Sequence, residues 1–159
     1  MMWVCRPGQH SKLYDCFVET RSIFLAWEGY KRDLSQIEDR QEFRDFVIEE
    51  KNPGARTTIS NWAGQLYSFS KEMNVGDYVL VPGKNSRTYS LAKITGDYKY
   101  VESAKYAHLR EIELLIMDVP RDIFPQDVKY TLGAFRTLFK AKQEGLIVSL
   151  MEKWEENTL

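Results

Sequence analysis

Aromatic and short polar side chains occur together at three places in the sequence, in a combination that suits a pocket for a flat ring. A nucleic-acid base that leaves its stack needs flat apolar walls, and donors and acceptors for its edge. The predicted base-binding pocket consists of Trp27, Ser60, Asn61, Trp62, Gln65, Asp97 and Tyr98. Trp62 also lies on the apolar stripe of a predicted helix, so packing in the core remains an alternative interpretation for its ring.

Basic residues interleaved with tyrosines make a second candidate surface in the later half of the chain. Lysine and arginine contact phosphates, and tyrosine rings stack on bases. The positions predicted to contact a nucleic-acid backbone are Lys84, Arg87, Lys93 and Lys99. An ordinary solvated face is the alternative interpretation of this pattern.

Catalytic groups are scarce. The histidines His10 and His108 stand alone, and neither Cys5 nor Cys16 lies in a recognisable motif. The letters Glu49-Glu50-Lys51 match the Glu-x-Lys of metal-dependent nucleases, but they fall at the end of a predicted helix, where a solvated charge cluster is the better interpretation. No glycine-rich phosphate-binding motif is present. We therefore predict a protein that is not an enzyme, with no metal and no cofactor.

Helices must carry part of the predicted pocket. The pattern of apolar residues predicts one helix over residues 39–51, capped by Asp39, and a second over residues 57–73 that carries Ser60 to Gln65. A terminal helix is predicted within residues 140–159. Residues 125–140 give no clear pattern.

Short strands surround these helices. They are predicted near residues 2–6, 22–27, 78–81, 88–95 and 109–119, so that Trp27 ends the second strand and Asp97 follows a hairpin. Early strands, then helices, then an antiparallel meander indicate an α+β fold. We expect a small, twisted, partly closed β-barrel with flanking helices, formed as a single domain over residues 1–159.

Composition and charge limit the function classes. The formal net charge of −1 is not typical of a protein that binds DNA by bulk electrostatics, so nucleic-acid binding would need a local basic face, a pocket, or another domain or subunit. No apolar run approaches the roughly 20 residues that span a bilayer. The first residues lack the apolar stretch of a signal peptide. We therefore expect no membrane contact and a cytoplasmic location.

An ordered set of motifs runs through almost the whole chain. It comprises Trp3 to Gly8, Trp27-Glu28-Gly29, Asn61 to Tyr67, Gly76 to Leu80, Ile94 to Tyr98, Pro120-Arg121-Asp122 and Leu132-Gly133. In this order the motifs resemble the N-terminal domain of Mrr-like, modification-dependent restriction systems. The layout is similar to the EVE, YTH and PUA-like superfamily of small β-barrels, which hold a modified base in an aromatic pocket.

The resemblance implies a reader of modified DNA in a restriction or defence system. Trp27, Asn61 and Trp62 would form its pocket, between the second strand and the second helix, and a nuclease or motor partner would supply any cutting. Two alternatives remain open: an RNA-binding module of the same barrel type, and a protein-interaction domain without affinity for nucleic acid.

Overall fold

Five α-helices and seven β-strands occur in the part of the chain that the computed structural model describes, residues 1–134 and 136–158. The strands are β1 (Met2–Cys5), β2 (Ser22–Phe24), β3 (Tyr78–Pro82), β4 (Thr88–Ile94), β5 (Lys99–Tyr100), β6 (His108–Pro120) and β7 (Leu138–Lys140). The helices are α1 (Tyr14–Thr20), α2 (Arg40–Lys51), α3 (Arg56–Tyr67), α4 (Gln126–Leu132) and α5 (Glu144–Thr158). None of these helices is long and apolar enough to cross a membrane.

The strands form one mixed sheet in the order β2-β6-β4-β3-β1-β7, with β5 paired to β6. The pair β1–β3 is parallel, and the other pairs are antiparallel. Register shifts between β4 and β6 lie next to Leu91, and such irregularities bend a sheet and increase its twist. The sheet curls strongly into a half-barrel. The expectation of an α+β fold with a partly closed barrel is therefore confirmed.

Both faces of the sheet are covered. In β1, Trp3 and Cys5 face a core cluster formed with α1, α2 and α3, whereas Met2 and Val4 face a second cluster formed with α4 and α5. All four side chains are buried. A strand buried on both faces has no polar side, which explains the unbroken apolar run at the start of the chain.

The two predicted central helices are present. Asp39 caps α2, since its Oδ1 accepts a hydrogen bond from the Glu42 amide at 2.9 Å. The second helix is not one continuous α-helix, because α3 ends at Tyr67 and a π-helical turn follows over Ser68–Glu72. In that turn the Phe69 carbonyl accepts a hydrogen bond from Nε of the buried Arg110 at 2.9 Å.

Three sequence-based boundaries need correction. The strand expected over residues 22–27 ends at Phe24, so Trp27 lies in the following loop. The terminal helix begins at Glu144, and Leu159 lies outside the described residues. The ambiguous segment 125–140 forms α4 and then β7, which pairs with β1 as the edge strand. At three residues, β7 is too short for a visible alternation of apolar and polar positions.

Candidate nucleic-acid interface

Two of the predicted aromatic residues line one cavity. Trp27, in the loop after β2, and Trp62, on α3, border a space of about 420 Å³ together with Tyr30, Asn61 and Gln65. Both indoles are half-buried and pack against the first core cluster. Each indole therefore packs against the hydrophobic core and also forms part of the cavity wall. We call this space the tryptophan cavity.

The loop that carries Trp27 has an unusual backbone. Gly29 and Tyr30 both have positive φ, at 84° and 54°. A bulky residue such as tyrosine seldom adopts this left-handed conformation, and such strain persists only where surrounding contacts enforce it. The Tyr30 ring lies 5.8 Å from the Trp27 ring, centroid to centroid. The strained turn thus sets the place of the tryptophan wall.

The buried side chain of His108 makes a contact that holds this strained turn in place. Nε2 of His108 lies 2.7 Å from the Tyr30 carbonyl oxygen, which can only accept, so the proton is on Nε2. Nδ1 then accepts from the Tyr98 hydroxyl at 2.6 Å, and that hydroxyl accepts from the Leu34 amide at 3.1 Å. Burial lowers the pKa of His108, although its bond to the Tyr30 carbonyl opposes that shift. The neutral ring therefore suits this chain of bonds.

The two amide side chains of α3 have different roles in the tryptophan cavity. Gln65 is buried, and its Oε1 accepts from the Leu138 backbone amide at 3.0 Å. Its Nε2 donates to Oδ1 of Asn61 at 2.7 Å. Gln65 therefore holds β7 in place, whereas the amide nitrogen of Asn61 makes no hydrogen bond to any residue in 1–134 or 136–158. Of the two, Asn61 is the one free to contact a ligand.

The remaining predicted pocket residues are not part of this cavity. Ser60 is exposed and lines the adjoining groove with Asn61. Asp97 and Tyr98 line a different cavity, together with Arg110. The prediction of one pocket from all seven residues is therefore not what the fold produces. Tyr98 is linked to the tryptophan cavity indirectly, because its hydroxyl bonds to His108, and His108 in turn bonds to the Tyr30 carbonyl.

Basic side chains surround the tryptophan cavity. A groove along β7 adjoins it on one side and a cleft near the start of the chain on the other, and Arg136 lines all three spaces. We call the second space the arginine cleft. Among the described residues, the three spaces are lined by one carboxylate, Glu28, and by seven cationic side chains: Arg6, Arg40, Lys51, Arg56, Arg121, Arg136 and Lys140.

Most of these cations keep an unneutralised charge. Arg40 and Lys140 lie within 4.0 Å of Glu72, and Glu28 pairs with Lys105 at 3.3 Å. Within residues 1–134 and 136–158, no carboxylate comes within salt-bridge distance of the other cations, which are Arg6, Lys51, Arg56, Arg121 and Arg136. A chain with a net charge of −1 thus gathers basic side chains in and beside the tryptophan cavity.

The basic surface expected from sequence lies elsewhere. Lys84 pairs with Asp15 at 3.3 Å, and Lys99 pairs with Glu111. Lys93 has its Nζ 5.3 Å from the centre of the Tyr78 ring. Arg87 is exposed and, like these lysines, does not line the tryptophan cavity, the groove or the cleft.

Sequence reasoning missed the arginines of the site. Arg6 and Arg136 are 130 positions apart and meet because β1 pairs with β7, which a single sequence does not reveal. Nε of Arg6 donates to the Arg136 carbonyl at 3.1 Å. The local feature that could have pointed to Arg6 is its position in Arg6-Pro7-Gly8, at the end of the first predicted strand.

Two side chains with catalytic potential, Cys5 and His108, are buried in the fold. Burial raises the pKa of the Cys5 thiol to about 12, so its reactive thiolate is disfavoured. His108 uses both ring nitrogens in the bonds described above. In the described part of the chain, no group of three or more His, Cys, Asp or Glu side chains is placed to hold a metal ion.

Comparison with known proteins identifies a family. No curated protein and no solved structure matches the chain. One family model, described as a domain of unknown function (DUF8426), matches residues 3–139, a span that includes both tryptophans of the cavity and Arg136. Because this match covers most of the sequence, the chain belongs to the DUF8426 family.

Proposed function

We propose that this chain is a non-catalytic nucleic-acid-binding domain that holds a modified base of double-stranded DNA in the tryptophan cavity. One observation carries the proposal: a cavity walled by Trp27 and Trp62 opens between two basic spaces that share Arg136. Aromatic walls suit the faces of a base, and unneutralised cations suit the phosphates on either side of it.

The tryptophan cavity has the size and lining that a base requires. Its volume of about 420 Å³ lies within the roughly 300–1,000 Å³ typical of small-molecule sites. Stacking on an aromatic ring contributes about 1–3 kcal/mol per base. The free amide nitrogen of Asn61 is a donor for the edge of the base, and the Glu28 carboxylate is an acceptor.

The local concentration of basic side chains makes nucleic-acid binding compatible with a net charge of −1. A protein can bind a polyanion if its cations lie on one face, because salt screens distant charges beyond about 8 Å at physiological ionic strength. Lys51, Arg56 and Arg136 lie on that face without carboxylate partners among the described residues. The phosphate backbone would run along β7 while one base enters the cavity.

The choice of modified DNA rests on the resemblance to Mrr-like restriction systems. In that role the domain recognises the modified base, and a nuclease or motor partner supplies the cutting of the DNA. Modification of an exocyclic position changes the shape of the base edge, which Asn61 would contact. Because stacking alone is tolerant of sequence, discrimination would depend on this edge.

A titration of the wild-type chain at low salt tests the proposal. The panel consists of one duplex with unmodified bases and matched duplexes with 5-methylcytosine, 5-hydroxymethylcytosine, N4-methylcytosine or N6-methyladenine, and a matched RNA. We expect the tightest binding to one modified duplex. Tighter binding to the RNA would replace this proposal with an RNA-binding module. Absence of binding to every member would overturn it in favour of a protein-interaction domain.

A further inference from the structure

Three arginines converge in the arginine cleft. Arg6, Arg121 and Arg136 line this space of about 690 Å³, and Trp27 borders both the cleft and the tryptophan cavity. None of its described lining residues is an aspartate or a glutamate. Like charges gathered without a counter-charge repel one another, so the arrangement favours a bound anion.

Arg6 is a fixed member of this group. Its guanidinium donates to the carbonyl oxygens of Leu132, Ala134 and Arg136 at 3.3, 2.7 and 3.1 Å, and to Oγ of Ser86 at 3.2 Å. These partners are uncharged, so they orient the guanidinium and leave its positive charge in place. Arg6 therefore holds the loop before β7 and contributes a permanent charge to the cleft.

Arg121 and Arg136 are the exposed members. Both side chains are open to solvent and have no carboxylate within salt-bridge distance among the described residues. A planar guanidinium can donate two parallel hydrogen bonds to a phosphate. These two arginines are therefore the ones free to bind a ligand directly.

A buried hydroxyl at the cleft has no partner. Tyr89 lines the cleft, is 1% exposed, and its hydroxyl makes no hydrogen bond to any described residue. Burial raises the pKa of Tyr89, and the polar side chains of Arg121 and Ser86 beside the hydroxyl oppose that shift. Since nearly all buried polar groups in proteins are satisfied, this donor needs an explanation.

Strained turns form the rim of the cleft. His10 and Asn85 have φ of 56° and 58°, and each is followed by a serine with positive φ. Both turns line the cleft. Left-handed conformations at consecutive non-glycine positions carry a cost that is often met at ligand sites.

We propose that the arginine cleft binds a phosphate group, held by Arg121 and Arg136, oriented by the fixed charge of Arg6, and contacted by the Tyr89 hydroxyl. The assignment to DNA rests on the proposed function: the ligand is then the backbone phosphate next to the base in the tryptophan cavity. Trp27, as the shared wall, fixes the distance between base and phosphate.

Nucleic-acid binding across a salt series tests this assignment. Each of Arg121→Gln and Arg136→Gln should weaken binding about tenfold at low salt, because a charged hydrogen bond is lost. Each should also reduce the slope of log K against log salt by about 0.9 on duplex DNA, equally for modified and unmodified duplexes. Lys153→Gln is the charge-matched control, since Lys153 is exposed on α5, on the other face of the sheet. An unchanged slope in both arginine variants would overturn the assignment.

Binding of inorganic phosphate separates failure of this inference from failure of the proposed function. We expect phosphate to shift the side-chain ¹⁵N resonances of Arg121 and Arg136, and Tyr89→Phe to weaken that binding several-fold with the fold intact. If the arginines respond to phosphate but the chain binds no nucleic acid, the cleft stands and the proposed function fails. If neither arginine responds to phosphate, the cleft is not a phosphate site, whatever DNA does.

Discussion

The indole nitrogen of Trp27 donates a hydrogen bond to the hydroxyl oxygen of Thr137 at 3.2 Å, and so joins the loop after β2 to the residue before β7. The next residue, Leu138, donates its backbone amide to Gln65 on α3. These two hydrogen bonds fix the start of the edge strand β7, and through Thr137 they hold Trp27 in the wall of the tryptophan cavity. A residue that positions the tryptophan wall, such as Thr137, can therefore affect binding through that wall.

Replacement of Thr137 by valine should weaken binding to the preferred duplex several-fold. The change keeps the shape of the side chain but removes the acceptor for the Trp27 indole, and a hydrogen bond of this kind is worth about 0.5–1.5 kcal/mol. The measurement is a binding titration with circular dichroism as a check on the fold. Thr158→Val, at the end of α5, is the matched control and should bind as the wild type does. Equal affinities for the two variants would refute a role of this bond.

Gln65→Leu should reduce the free energy of unfolding by about 1–3 kcal/mol, because it leaves the buried Leu138 amide without its acceptor. Asn61→Asp keeps the Oδ1 acceptor for Gln65 but removes the free amide donor, so it should instead leave stability nearly unchanged and reduce the preference for the modified base. Urea denaturation and the duplex panel measure the two effects separately. Loss of discrimination in a fully stable Gln65→Leu protein would instead mean that Gln65 reads the base.

Acid should loosen the loop that carries Trp27. Burial lowers the pKa of His108 below its ordinary 6.5, so between these two values the unfolded chain binds a proton that the folded protein does not. Stability is therefore complete above about pH 6.5 and falls as the pH drops towards the lowered value. A proton on Nδ1 would also face the Tyr98 hydroxyl with a second donor, since that hydroxyl already accepts from Leu34.

Urea denaturation at several pH values measures this dependence. In His108→Gln the fall in stability below about pH 6.5 should be much smaller, whereas in His10→Gln it should persist. A wild-type free energy of unfolding that stays constant, or rises, as the pH is lowered from 6.5 would contradict the assignment of a neutral, buried His108.

Two buried tyrosines should respond in opposite directions to loss of the hydroxyl. Tyr89→Phe should raise the free energy of unfolding by about 1 kcal/mol in the absence of ligand, because its hydroxyl is buried without a partner. Tyr14→Phe should lower it by a similar amount, since the Tyr14 hydroxyl bonds to Ser90 at 2.7 Å and to Asp118 at 2.9 Å. Equal destabilisation in both variants, measured in urea, would mean that Tyr89 has a partner in solution.

Local patterns predicted the elements better than the site. Asp39 and the apolar stripe of α2 were sufficient for that helix, because caps and periodicity are properties of neighbouring residues. The break at Tyr67 was not visible in the sequence, where Arg110, which donates to the Phe69 carbonyl in the π-helical turn, is 41 positions away. The edge strand β7 was missed because three residues carry too little pattern.

In the candidate site, too, the positions that stand out locally were predicted, whereas those that depend on the fold were not. Trp27, Asn61 and Trp62 were predicted together and do line one cavity, since tryptophans beside polar residues stand out locally. Tyr98 was placed with them because Asp97-Tyr98 follows the predicted hairpin, whereas in the fold its hydroxyl bonds to His108. The predicted backbone contacts Lys84, Arg87, Lys93 and Lys99 lie outside the three spaces, and the pairing of Lys84 with Asp15 depends on the fold and was not visible in the sequence.

The most direct test of the account is the affinity of Trp27→Ala and Trp62→Ala for the preferred modified duplex, measured across a salt series. Loss of one stacking wall should cost about 1–3 kcal/mol, or roughly five- to 150-fold in affinity, and should leave the salt slope unchanged. Trp154→Ala on α5, a half-buried tryptophan in the second core cluster, is the matched control and should keep wild-type affinity. If both cavity variants remain folded and bind as the wild type does, no base enters the tryptophan cavity and the account is wrong.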